Sequence, residues 1–203
     1  MRKIIILLTL VNTINLVFGQ HQNQIEFKYQ VLNFQISYPA NWILNTADDY
    51  YANLDRIKLQ DSEFDEMIKK NASTPFFFIA KFEEPYDDIN PSIKINTRPY
   101  GNLKGQSLKD IIDLMLPQFE KMLEDFNVEI QPTEIQLNDI TATYVKFYYT
   151  LRTQDDVGYL TCSELYLIDR VNYFYMIGVG TRQDENNCKR EEVLDILKTI
   201  KLN

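Results

Sequence analysis

Histidine is nearly missing from this 203-residue chain, with one copy, His21, close to the start. Imidazole is the usual base of catalytic triads and a common zinc ligand near neutral pH. Its scarcity excludes Ser-His-Asp and Cys-His catalysis and histidine-rich metal sites. Cysteine is scarce too: Cys162 and Cys188, without CxxC spacing, form neither a thioredoxin motif nor a zinc ribbon. Six glycines, none set as GxGxxG or a P-loop, leave a nucleotide cradle without its backbone. No cofactor is implied. Internal repeats, low-complexity tracts and Pro/Gly/Ser-rich linkers are also absent, so nothing divides the chain. Positive charge is the last shortage, with 21 Lys and Arg against 29 Asp and Glu. A surface this acidic repels phosphate backbones and anionic headgroups, which makes nucleic acid and acidic membranes poor partners.

The basic residues that open the chain carry information of their own. Arg2 and Lys3 precede an apolar stretch from Ile4 to Phe18, and Val17-Phe18-Gly19 presents the residues a signal peptidase reads. Residues 1–19 are therefore expected to be a cleaved signal peptide, and 20–203 a single globular domain in the periplasm or the extracellular space. A membrane span needs about 20 mostly apolar residues; Thr9, Asn12, Thr13 and Asn15 interrupt this one, and no cysteine is at hand for a lipid anchor. No stable membrane insertion is expected after cleavage. Losing Arg2 and Lys3 shifts the formal charge from −8 to −10. Export also makes a Cys162–Cys188 disulfide the expected state, tying the last helix to the sheet, with two buried free thiols as the alternative.

The mature part reads as strands with a few helices. Ile25, Phe27, Tyr29 and Val31 alternate with polar residues; Phe34, Ile36 and Tyr38 do so in the opposite phase, which places a turn or bulge around Leu32-Asn33. Residues 45–60 are polar and weakly patterned. Asp61 or Ser62 can cap a short helix turning Phe64, Met67 and Ile68 inward. Phe76 to Phe82 is apolar on both faces, as a central strand covered on both sides requires. Ile93 and Ile95 start another strand. Ser107 and Asp110 cap a long helix with Leu108, Ile112, Met115, Phe119, Met122 and Phe126 on one face, and Pro117 predicts a kink or two abutting helices. From 128 onward strands dominate: 141–151 and 159–168 form a hairpin about 154–158, and a third follows to Gly180. Val193, Ile196, Leu197 and Ile200 face inward from a final helix. The inventory is α+β, a mainly antiparallel sheet with helices packed on it.

Phe34-Gln35-Ile36-Ser37-Tyr38-Pro39-Ala40-Asn41-Trp42 resembles the opening of PsbP/Mog-like proteins, in which a strand ends in Tyr-Pro, a turn and Trp. The order of the following elements matches as far as the C-terminal helix, so the likeness spans most of the mature chain. Asn41 stands where relatives often have Gly, and Asn tolerates positive φ next best. The resemblance implies an antiparallel sheet sandwiched between helices, and relatives that are mostly binding or assembly proteins of very different roles. A fold of that kind does not transfer one function.

Several side-chain groupings remain. Asp48-Asp49, Glu83-Glu84, Asp87-Asp88 and Asp155-Asp156 are adjacent carboxylates that the fold would have to converge before they could do acid–base work. Asp87, Asp88 and Asn90 share a loop with enough oxygens for Ca²⁺, but without EF-hand spacing. Asn71-Ala72-Ser73 fits a glycosylation sequon. Tyr50-Tyr51, Tyr86 and Tyr100 fall in expected loops or strand ends, where aromatics anchor partners or edge the core. No catalytic or metal-ligating set emerges. The expected role is an exported, non-enzymatic binding or assembly domain acting on another exported or envelope protein. Two alternatives stand beside it: a carboxylate-based hydrolase, and a carrier for a small apolar ligand held between sheet and helix.

Overall fold

A computed structural model describes residues 23–58 and 74–202. The expected export segment 1–19, His21, the expected helix around Phe64, Met67 and Ile68, and the Asn71 sequon lie outside the described residues. The β-branched and aromatic runs of the C-terminal half form an antiparallel meander: β7 (Glu124–Leu137), β8 (Ile140–Thr153), β9 (Gly158–Asp169) and β10 (Tyr173–Arg182). Beyond β10 the sheet continues through β6 (Ser92–Pro99), β5 (Phe77–Ala80) and the short β3 (Ile43–Leu44); β4 (Ile57–Lys58) pairs with the far end of β8. The register aligns residues in rows across the sheet. Tyr144, Tyr166, Ile177, Ile95 and Phe77 form one such row, and Val145, Leu165, Gly178, Lys94 and Phe78 form the next, on the opposite face.

The first row belongs to the larger core. The final helix, α3 (Arg190–Leu197), covers it with Val193, Ile196 and Leu197, with Ile200 just beyond. A separate three-stranded sheet completes the cover: β1 (Gln24–Tyr29), β2 (Phe34–Pro39) and β11 (Lys201–Leu202). Asn33 takes the left-handed conformation, φ 48°, where the phase slip between β1 and β2 was expected. Pro39 and Trp42 close a turn through a Trp42 N to Pro39 O hydrogen bond of 2.9 Å. Asn41 needs no positive φ to make it, contrary to the glycine-substitute role inferred from the resemblance.

Trp42 explains what that turn is for. Its ring is 2% exposed, and Nε1 donates to Glu192 Oε1 on α3 at 2.8 Å, while Lys81 Nζ meets the other oxygen at 2.6 Å. The turn thereby hands its indole to the last helix, satisfying the N–H that an aromatic of this kind carries into a core.

The second face is covered in two halves. One half packs under α2 (Leu108–Met122), where Ile111 and Ile112 meet Val145, Phe147, Leu165, Leu167 and Phe174. Burying each such aliphatic side chain contributes about 1.5–3 kcal/mol. The option of two abutting helices at Pro117 is corrected: a single helix runs through it. Pro117 is exposed, so water can satisfy the carbonyl one turn back that the proline leaves without its N–H. Phe126, placed on this helix by its spacing, belongs to β7 instead. The other half of the face lies under α1 (Ala47–Arg56). The result is the α+β sandwich expected, with one outer layer shared between a helix and a small sheet.

Candidate functional site

Residues 45–60 give little periodicity, yet α1 forms there because both of its first-turn partners are present. Thr46 Oγ1 accepts from Asp49 N at 3.3 Å and Asp49 Oδ2 accepts from Thr46 N at 2.7 Å, a reciprocal cap that satisfies two orphan donors. No α1 residue is fully buried, so the helix lies over the sheet without sealing against it. Between α1, the acidic loop after β5 and the floor of the sheet is a cavity of about 300 Å³.

The floor of the cavity is set by alternation along the strands. Phe78 and Ala80 of β5, Ser92 and Lys94 of β6, Gly178 and Gly180 of β10, and Ser163 and Thr161 of β9 face it. The two glycines, two residues apart, remove side chains from the middle of this floor. A Cβ at Gly178 would meet nothing within 4 Å, so the space above it is open. Tyr149, Leu151 and Tyr159 form a wall. Tyr149 Oη is 3.1 Å from Ser163 Oγ, and burial pushes its phenol above the ordinary value.

Lys94 stands next to Gly178 in the register. Its Nζ lies 4.9 Å from the Phe78 ring centroid and 5.4 Å from that of Tyr50 on α1. Among the described residues it has no hydrogen bond or ion pair. Burial lowers its pKa from 10.5 to about 8, against the pull of the Glu84 charge. Two ring faces stabilise the ammonium in part, but they do not neutralise it.

The acidic loop forms the rim, and two of its carboxylates, Glu84 and Asp88, are paired. Glu84 receives Arg56 at 2.8 Å, Tyr86 N at 2.9 Å and Asn90 Nδ2 at 2.9 Å. Asp88 receives Arg182 at 2.6 Å and the neighbouring Ile89 N at 2.7 Å. Asn90 also exchanges hydrogen bonds with the Phe82 backbone on both its amide atoms. Of the three residues considered for Ca²⁺, Asp87, Asp88 and Asn90, the last two turn oxygens toward protein donors, and no cluster of three metal-ligating side chains occurs among the described residues. Two other acidic pairs stay apart, Asp48-Asp49 in the first turn of α1 and Asp155-Asp156 at the β8–β9 hairpin.

The tyrosines divide. Tyr50 lies edge-on to Tyr51 and Phe78 beside Lys94, and Tyr86 stacks on Phe82 at 4.5 Å at the rim. Tyr100 packs on Phe174 and donates to Asp169, away from the cavity. Cys162 and Cys188, the expected disulfide pair, are both free and buried in this structure. Cys162 faces Thr181, Lys146 and Glu164, and burial raises its thiol to about 11. Cys188 lies 3.7 Å from Glu192, and burial raises it to about 12. Sequence reasoning missed Lys94, Gly178 and α1. The Thr46-x-x-Asp49 spacing was the one local signal available.

No protein-family model matches the chain, and no characterised protein matches it in sequence. Solved structures do match in shape. LpqN of Mycobacterium tuberculosis, involved in cell envelope biogenesis, has a TM-score of 0.50 at 11% identity, over 90% of this chain and 92% of that one. Cyanobacterial PsbP of Synechocystis sp. PCC 6803 follows at 0.48 and 12%, over 90% and 94%. A Bacteroides thetaiotaomicron protein gives 0.46 and 12%, over 90% of this chain and 49% of that one. Identities this low speak of fold alone. The fold is the PsbP/Mog-like α+β fold implied by the Tyr38–Trp42 turn and the element order; the LpqN comparison supports it, and the two lower TM-scores add nothing to it.

Proposed function

We propose that this chain is an exported, non-enzymatic binding domain whose binding site is the cavity beneath α1. The carrying observation is the opening itself: about 300 Å³ of space over a floor that Gly178 and Gly180 keep bare, walled by both rings and hydroxyls. That volume lies at the lower end of small-molecule sites, which are largely pre-formed and mix apolar walls with a few placed polar groups. The carrier reading thus moves ahead of a flat protein-docking face. Among the described residues, the exposed large apolar side chains, such as Ile25, Val31, Leu114, Leu160 and Val171, come from different elements and supply no single aromatic patch.

The hydrolase alternative is disfavoured by the same rim. A carboxylate pair for glycoside chemistry needs one member free to give a proton and the other to attack or activate water. Glu84 and Asp88 are both held by arginines and backbone N–H groups. The export signal expected from the sequence and the cell-envelope role of LpqN fit a site of action in or beyond the envelope, where a small ligand would be handed to, or taken from, another exported protein. The test is native mass spectrometry of the chain purified from its exported fraction, wild type beside Gly178→Leu. A small molecule retained by the wild type and lost from the variant is expected. Retention by both, or cleavage of the retained molecule on incubation, would overturn the proposal.

A further inference from the structure

Given the cavity as a binding site, we infer that it takes a small monocarboxylic acid with a flat apolar body, its carboxylate on Lys94 and its body over Gly178 and Gly180. The inference rests on that reading of the site and adds the ligand class to it.

The chemistry follows from what surrounds one ammonium. Lys94 reaches the cavity between the faces of Phe78 and Tyr50 and, among the described residues, has no acceptor for any of its three N–H groups. Each of the other cations at the rim has its anion: Arg56 has Glu84, and Arg182 has Asp88 and Asp184. A cation without a counterion at the edge of an open space invites an anion, and the surrounding low-dielectric walls strengthen the pair. One ammonium calls for one negative group, since the other cations at the rim, Arg56 and Arg182, are already paired with Glu84 and Asp88. The hydroxyls of Ser92 and Ser163 line the same floor and can donate to a carboxylate oxygen that Lys94 leaves over, whereas Thr161 already donates to Tyr159 O.

Size and shape set the rest of the molecule. A cavity of about 150 Å³ accommodates benzene, so about 300 Å³ allows an aromatic ring with a short carboxylate arm. The bare Gly178–Gly180 floor lets a flat body approach the sheet backbone, and Tyr149 and Leu151 supply the apolar wall. Phosphate and sulfate esters carry more charge or more bulk at the head than one lysine and this rim can hold. A peptide would have to enter through its C-terminal residue alone.

The test is a titration of the ¹⁵N-labelled full chain, as exported, with 3-phenylpropionate and with its amide, followed by amide chemical shifts near pH 7. The acid is expected to shift Gly178, Gly180 and Lys94 saturably and to bind roughly tenfold or more tighter than the amide, as a charged hydrogen bond predicts. Lys94→Met should abolish that preference while leaving the cavity. Gly178→Leu, or the smaller Gly178→Val if leucine impairs folding, should abolish binding of both probes. If acid and amide bind alike, or Lys94→Met leaves the preference intact, the carboxylate inference is overturned while the cavity stands. If shifts map elsewhere, or filling the floor changes nothing, the cavity reading falls with it. A flat titration to millimolar acid also overturns the inference.

Discussion

Replacing Arg190 by methionine tests how α3 is held to the sheet. Arg190 Nε donates to Glu164 Oε1 at 2.8 Å, and its second terminal nitrogen meets Tyr144 Oη at 3.0 Å and Glu164 Oε2 at 3.3 Å. Glu164 is 5% exposed and also receives the Tyr166 hydroxyl, so the methionine would leave a buried carboxylate with a neutral donor only. Removing one partner of a buried pair costs about 3–5 kcal/mol. Arg190 is a third exposed, so water can enter its place, and Lys146 stands opposite Glu164 in the register. Those two features bring the expectation down to roughly 2–3 kcal/mol, or about 5–10 °C in Tm for a domain of this size. Urea unfolding read by fluorescence suits the measurement, because Trp42 is the sole tryptophan and is buried against α3 through Glu192. Glu164→Gln in the Arg190→Met background keeps an acceptor for Tyr166 and removes the stranded charge, so it should restore at least half of the loss. A loss below about 0.5 kcal/mol for Arg190→Met, or a further loss on adding Glu164→Gln, would refute the assignment.

Lys94 gives a pH signature with a definite sign. Its folded pKa of about 8 lies below the ordinary 10.5, so between those values the unfolded chain holds more protons and rising pH favours the fold. The charged form costs on the order of 3 kcal/mol below pH 8, and the cost fades by about pH 10.5. Tyr50 and Arg56 on α1, Glu84 on the loop and Tyr149 on β8 face the same space. Lys94→Met should therefore be more stable than wild type near pH 7, with the gap closing across that window; a pH-independent gap would remove the desolvation argument. The two thiols, free and raised to about 11 and about 12, should resist alkylation in the native chain and each take one alkyl group after denaturation without reductant. Mass gain only after reduction would instead establish the Cys162–Cys188 disulfide. Thr46→Ala should cost about 1 kcal/mol through the lost cap and lower hydrogen-exchange protection in α1 alone; unchanged protection there would mean that the cap does not hold the helix.

The sequence by itself determined the local elements whose pattern repeats along the chain. The opposite phases of Ile25-to-Val31 and Phe34-to-Tyr38 placed the Asn33 turn, the β-branched and aromatic runs placed the 141–168 hairpin, and Ser107-x-x-Asp110 placed the start of α2. These signals are short-range, since period and capping act within one or two turns of the chain. Where apolar spacing was ambiguous the reading erred, as at Phe126, whose step of four fits a helix but which lies in β7, at a bulge in its pairing with β8. α1 was hidden because none of its side chains is fully buried, which leaves a cap but no apolar stripe to read. The cavity was not legible at all. Phe78, Lys94, Gly178 and Ser163 are unremarkable in their own segments, and their meeting depends on a strand order of β5, β6, β10 and β9 that crosses the chain. Pairing of that kind is decided by tertiary packing, where one register sets every side chain on one face or the other. Only there does a lysine come to stand over a bare floor without a counterion among the described residues.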